Sequence, residues 1–246
     1  MLKNKSLIII PALNEEGNIA SVLHGIFKYC PDCDVLVVND GSKDATSSVA
    51  KKEGVNVIDH LYNIGYGGAL QTGFKYAVDS GYEYVIQFDA DGQHDPEDII
   101  KIIEKLETNS YDIVIGSRFI KGNTKVGMIK RAAIQCFRML IKIFTGKNIT
   151  DPTSGLQGLN QVVFSYYAKM GNFPEDFPDA DTLIHMLNRG HLVFEIPANI
   201  RERMSGKSMH LGLNTIYYFF KMLVSIMVVV LRHKTNVNKQ KGDVNA

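Results

Sequence analysis

Two carboxylates one residue apart, Asp89 and Asp91, end the apolar run Val85-Ile86-Gln87-Phe88. Ala90 lies between them, and Gly92, Gln93 and His94 follow. Asp95-Pro96 then reads as a helix start, with Asp95 as N-cap and Pro96 at the first helical position. Acids at the C-terminal end of a buried strand are poorly placed to hold a core together. As hard oxygen donors they suit Mg2+ or Mn2+, with Gln93 adding a neutral oxygen and phosphate or water filling the rest. A metal so held acts as a Lewis acid on a departing diphosphate. His94 reads as a hydrogen-bonding neighbour of this loop rather than a catalyst.

Stepping along the chain, further polar clusters follow apolar runs. Asn14-Glu15 comes after Ser6–Ile10, Asp40 after Val35–Val38, and Asn63-Ile64-Gly65 after Val55–Ile58. A fifth run, Asp112–Gly116, leads to Arg118. Helical spacing separates the runs, as in Ile19, Val22, Leu23, Ile26 and Phe27, or Ile99, Ile102, Ile103 and Leu106. Strands alternating with helices predict a mostly parallel α/β sheet flanked by helices. In such sheets ligands bind beyond the carboxyl ends of the strands, so the polar clusters are expected to converge on one edge. Farther on, a helix over Val126–Phe144 carries Ile129, Ala133, Phe137 and Ile141 on one face and Arg131, Arg138 and Lys142 on another. A short strand over Leu156–Leu159, a helix opening at Phe177–Asp181 and a strand over Leu192–Ile196 follow.

Two other phosphate-binding schemes fail on spacing. Gly65-Tyr66-Gly67-Gly68 lacks the third glycine of a dinucleotide fingerprint, has Leu70 in its place, and follows the third strand instead of the first. No G-x-x-x-x-G-K-[ST] occurs. The three cysteines cannot frame a disulfide scaffold, and Cys30-Pro31-Asp32-Cys33 reads as a turn.

At 246 residues and 45% apolar content the chain fits one cored domain with a terminal appendage. No signal peptide is expected, because the apolar run Leu7–Ile10 is too short for one and lacks a cleavage site. The net charge of +1 hides an asymmetry: Ile113–Thr150 and Arg203–Gly242 contain no acid, yet hold 15 of the 27 Lys and Arg. The remainder carries 12 bases against 26 acids, and such segregation points to an anionic partner. The most hydrophobic stretch runs from Ile216 to Leu231, but its longest run without a charge is only ten residues. A bilayer span needs about 20, so a helix in the membrane interface, flanked by Lys221 and Arg232-His233-Lys234, is expected. An oligomerisation helix is the alternative. The expected division is 1–208 for the catalytic domain, 209–234 for this helix and 235–246 for a disordered tail.

Pro11-Ala12-Leu13-Asn14-Glu15-Glu16, Val37-Val38-Asn39-Asp40-Gly41-Ser42, Asn63-Ile64-Gly65, Asp89–His94 and Gly116-Ser117-Arg118 together resemble the family 2 glycosyltransferases of GT-A fold. The dolichyl/polyprenyl-phosphate mannosyl- and glucosyltransferase branch is the most similar, over about Leu7–Lys207. Asn39 departs from the pattern, where a second Asp is common. The resemblance implies inverting transfer of one hexose from a GDP-, UDP- or dTDP-sugar to a polyprenyl phosphate at the cytoplasmic membrane face. It implies that Pro11, Ala12, Asn14, Glu15, Asp40, Ala90 and Asp91 line the nucleotide, and that Asp89, Asp91 and Gln93 hold metal. Arg118, Arg201, Arg203 and Lys207 would gather the donor and acceptor phosphates. An anionic acceptor needs no general base, whereas a sugar hydroxyl does. Asp179 and Asp181 fall where hydroxyl-using relatives place that base; a base, an acceptor-orienting pair and helix-terminal acids are all open, the last slightly favoured. Transfer to a saccharide hydroxyl in capsule or wall synthesis, and a non-catalytic membrane-recruiting scaffold, are the competing readings. A homo-oligomer is compatible with the chain; a nucleic-acid partner is not expected.

Overall fold

The computed structural model describes residues 5–121, 127–200 and 213–244. Strand β1 (Ser6–Ala12) is buried along its whole length. Leu7 and Ile9 enter one core while Ile8 and Ile10 enter another, which is what a parallel strand covered on both faces requires. Helix α1 (Ile19–Tyr29) returns the chain to β2 (Asp34–Asn39), and α2 (Thr46–Lys52) returns it to β3 (Asn56–Asp59) at the sheet margin. Helix α3 (Tyr66–Ser80) then crosses to β4 (Tyr84–Gln87), on the other side of β1. Helix α4 (Glu97–Glu107) leads to β5 (Ile113–Ser117).

Beyond β5 the winding changes. Helix α5 (Met128–Thr145) is followed by β6 (Gln157–Asn160), which inserts between β4 and β5 antiparallel to both. Helices α6 (Gln161–Ala168) and α7 (Ala180–Asn188) precede β7 (Val193–Pro197), parallel to β5. The seven strands lie in the order β3-β2-β1-β4-β6-β5-β7, a mixed sheet that is mostly parallel, as expected. Reversal of β6 has a functional consequence. Because its neighbours run the other way, the loop entering β6, Asp151–Gly155, lies at the same edge as the loops leaving β4 and β5.

Helix α8 (Leu213–Val244) closes the larger core. Tyr218, Met222, Ile226 and Val230, four residues apart, bury one stripe against the cluster that contains Phe137, Leu183 and Ile184. The helix continues to Val244, past residue 235 where a tail is expected; Lys and Gln there are good helix formers. Among the described residues no helix is long and apolar enough to cross a membrane.

Other boundaries differ by small amounts. Pro96 stands at the N-cap and helix α4 begins at Glu97, yet the capping contact is Asp95 Oδ1 accepting from Glu97 N (3.2 Å). In α5 the buried stripe is Ile134, Phe137 and Ile141, and Ile129 is exposed, contrary to expectation. Helix α6, only about two turns long, is not among the elements expected from the apolar pattern.

Candidate active site

The chain leaves β4 at Phe88, which is fully buried, and presents Asp89 at the sheet edge. Asp89 Oδ1 accepts from the Tyr66 hydroxyl (2.9 Å), and Oδ2 lies 3.4 Å from His94 Nε2. Burial opposes its charge, but His94, Tyr66 and the Arg118 guanidinium outweigh it and hold the carboxyl below the usual range. Burial, reinforced by Asp89, pushes the Tyr66 hydroxyl well up, so it stays a proton donor. Asp91 Oδ1 accepts from Gln93 N (3.0 Å), which turns the loop after the two carboxylates.

These donors fit a hard divalent ion. Asp89 is held ionised, Asp91 and Gln93 would add further oxygens, and Gly155 gives the Asp89 carboxylate its room: a Cβ there would stand 2.0 Å from Asp89 Oδ2. Among the described residues no three His, Cys, Asp or Glu side chains group closely enough to hold an ion alone, so a diphosphate would have to complete the shell. His94 is buried, and its Nδ1 is the one buried side-chain polar atom among the described residues with no hydrogen-bond partner.

The loops after β1 and β2 are laced together. Asn14, with φ of 56°, donates from its N–H to Ser42 Oγ (2.9 Å), and its Oδ1 accepts from Lys43 N (2.9 Å). Glu15 N donates to Thr46 Oγ1 (2.8 Å), and Asp40 N donates to the Ala12 carbonyl (2.9 Å). Pro11, Ala12 and Ala90 are buried beneath this floor. Asp40, expected to meet the nucleotide, is itself buried and occupied. Its Oδ1 accepts from Ile64 N (2.9 Å) and His60 Nδ1 (2.8 Å), and its Oδ2 from Gly65 N (3.0 Å). It thus fixes the Asn63–Gly65 turn, and only part of one oxygen remains for a ligand.

Arg118 also differs from expectation. Its guanidinium fork closes on Asp151, Nε to Oδ2 and Nη2 to Oδ1 at 2.6 Å each, and Nη2 reaches the Thr153 carbonyl at 3.0 Å. The bidentate edge therefore faces protein rather than a phosphate, although its charge still bears on Asp89 and Asp179. Asp151 is fully buried and its N–H donates to Glu195 on β7 (2.9 Å). Arg201, Arg203 and Lys207 lie outside the described residues.

Asp179 and Asp181 part company. Asp181, buried at the start of α7, accepts from Thr182 N (2.8 Å) and Asp179 N (3.2 Å). Its other oxygen accepts from the Ser225 hydroxyl of α8. Asp179 makes no cap with its side chain. Instead its Oδ2 accepts from the Tyr218 hydroxyl of α8. Burial, with Asp181 adding to it against the Tyr218 bond, pushes Asp179 up to about 7. Arg118, Tyr66 and Lys130 all feel its charge, and Arg118 and Tyr66 feel that of Asp89 too, so the two carboxylates act on the same groups.

A family model described as glycosyl transferase family 2 matches residues 7–167 of this chain. The chain belongs to glycosyl transferase family 2. An uncharacterized protein of Methanocaldococcus jannaschii is 35% identical to this glycosyltransferase over 90% of the chain and 92% of its own length. Polyprenol monophosphomannose synthase of Mycolicibacterium smegmatis is 27% identical over 89% of the chain and 85% of its own. The glucosyl-3-phosphoglycerate synthase of Mycobacterium tuberculosis, solved with Mn2+ and uridine-diphosphate-glucose, shares the fold. It has a TM-score of 0.67 and 18% identity over 92% of this chain and 79% of that one.

Within this family 2 glycosyltransferase, five residues of the cleft carry no local signal in the sequence: Tyr66, His60, Asp151, Gly155 and Tyr218. Each reaches its partner from a distant element. The Gly65–Gly68 cluster was visible but belongs to packing. A Cβ on Gly67 would stand 2.0 Å from the Pro174 carbonyl, and Gly68 N donates to the Glu175 carbonyl at 2.9 Å. These glycines admit the backbone of 174–176 against α3, which delivers Asp179 to the cleft.

Proposed function

We propose that this glycosyltransferase moves one hexose from a nucleotide-diphosphate sugar to a polyprenyl phosphate at the cytoplasmic face of a membrane. The observation that carries the reading is the wall on the Asp179 side of the cleft. Helix α8 hydrogen-bonds to Asp179 from one face and presents Tyr217, Phe220, Val224, Met227 and Leu231 to the outside from another. An acceptor phosphate can then sit near Asp179 and Arg118 while its hydrocarbon follows the apolar face. The similarity to a polyprenol monophosphomannose synthase supports the same acceptor class.

In this reading Asp89, Asp91 and Gln93 hold Mg2+ or Mn2+, which supplies charge neutralisation for the leaving nucleoside diphosphate. Tyr66 and His94 keep Asp89 oriented, and Gly155 leaves its carboxylate room. Asn14, Glu15 and the turn organised by Asp40 form the nucleotide floor, with Pro11, Ala12 and Ala90 as its buried base. Arg118 contributes field more than direct contact, so phosphate contacts fall to Arg201, Arg203 and Lys207. The acceptor phosphate, already anionic near neutral pH, attacks the anomeric carbon without a base.

A second reading has one specific observation in its favour. A carboxyl titrating near 7 is suited to act as general base, so Asp179 would also serve a hydroxyl acceptor. One experiment separates the two. The purified enzyme is given labelled GDP-, UDP- and dTDP-hexoses with Mn2+, and either a detergent-solubilised polyprenyl phosphate or an oligosaccharide. Label in the lipid fraction that persists in Asp179→Asn supports the first reading; label only in saccharide, lost in that variant, overturns it.

A further inference from the structure

Helix α8 does more than cover apolar surface. Two of its polar side chains, Tyr218 and Ser225, point into the protein, and each donates to a carboxylate of the Asp179–Asp181 segment. Tyr218 is 7% exposed, and its ring is clamped edge-on by Phe137 of α5 (6.0 Å) and Phe177 (5.0 Å). The hydroxyl therefore has a fixed place, set by the seating of the whole helix. Lys221 adds an ion pair to Asp176 on the same turn of α8. Between these contacts lies a cavity of about 320 Å³ lined by Phe173, Phe177, Met222, Asp181 and Ser225.

We propose that Tyr218 is a positioning residue for Asp179, so that the seating of α8 sets the charge and orientation of the acceptor-side carboxylate. The proposal deepens the lipid-phosphate reading and rests on it for the word acceptor. Its geometry does not depend on which acceptor is used. Asp179 is faced by Tyr218 from α8, Asp181 from α7, Arg118 after β5, Asp151 before β6, Tyr66 from α3 and Lys130 from α5. Of these, Tyr218 is the neutral donor whose bond favours the charged carboxylate, and it comes from the element with the exposed apolar face. A surface that engages that face would act on Asp179 through one hydrogen bond.

The test is Tyr218→Phe, which keeps the ring and its two aromatic contacts and removes only the hydroxyl. Asp179 is followed by 13C NMR of carboxyl-labelled aspartate, assigned with Asp179→Asn, in the full chain. Loss of the donor is expected to raise the Asp179 midpoint by roughly one pH unit, because the bond stabilises the ionised form. In transfer assays the pH limb assigned to Asp179 moves with it and the acceptor KM rises. Stabilisation of the protein by UDP with Mn2+ stays as in wild type. Tyr82→Phe is the comparator: Tyr82 donates to Asp34 at 2.8 Å, at the far end of the sheet, and its loss should lower stability without moving Asp179. An unchanged Asp179 titration in Tyr218→Phe, or an equal shift in Tyr82→Phe, overturns the proposal. A shifted titration in an enzyme that transfers nothing to polyprenyl phosphate keeps the proposal and removes the lipid reading.

Discussion

One methyl group at Gly155 would separate stability from chemistry. Its Cβ would fall 2.0 Å from Asp89 Oδ2, so Gly155→Ala must displace the carboxylate or the loop. Transfer is expected to fall by about 10²-fold or more, as for a misplaced reacting group, while circular dichroism stays native. A variant with wild-type kcat would show that Asp89 does not need its present position. Asp179 makes a prediction with a definite sign. Its carboxyl is raised to about 7 in the folded protein. Against an unfolded value of about 3.9, the folded state binds this proton more tightly, so the stabilising contribution is complete below about pH 4. That contribution is lost as pH rises through about 7. The melting temperature of wild type should therefore fall relative to Asp179→Asn between pH 4 and 8, measured by calorimetry in parallel buffers.

At the scale of elements, the site depends on two insertions into an otherwise regular α/β winding. Antiparallel β6 brings Asp151 and Gly155 to the working edge, where Asp151 takes the Arg118 fork. The close approach of 174–176 to the start of α3 brings Asp179 there. That approach is made possible by Gly67, where a Cβ would meet the Pro174 carbonyl at 2.0 Å. Gly67→Ala should cost about 1–3 kcal/mol of stability by overpacking, read from urea unfolding. Because the displaced segment leads to Asp179, activity should fall further than the loss of folded population accounts for. Equal losses in both would confine Gly67 to packing.

Over the whole molecule the two acid-free segments of the chain come together. Phe137 of α5 packs against Tyr218 and Phe219 of α8. Around that junction α5 exposes Met139 and Ile143 beside Lys142, and α8 exposes Phe220, Val224 and Met227. Apolar side chains mixed with cations suit an anionic membrane interface. Replacing Phe220 and Met227 by Glu should leave the melting temperature within a few degrees, since neither side chain is buried, and abolish flotation with phosphatidylglycerol vesicles. Undiminished flotation of the double variant would place lipid binding elsewhere.

Much of this was legible in the residues. Continuous apolar runs broken by polar clusters specify parallel strands buried on both faces, and the edge where those clusters meet follows from strand direction alone. Asp89, Asp91 and Gln93 could be proposed as donors because their chemistry is local: hard oxygens two residues apart at a strand end. Asp40 and Arg118 were found as well, but not their roles. Both polar groups turned out to serve the protein, since each found partners far along the chain that no spacing rule connects. Fold class, candidate donors and charge asymmetry could be read from the residues alone, because period, residue type and charge are properties of short windows. Folding settles which glycine lies against Asp89, which carboxylate holds Arg118, and that α8 reaches Asp179. Those are contacts between residues 33 to 66 positions apart, and they exist only once antiparallel β6 and the docking of α8 have closed the chain around the opening pair of carboxylates.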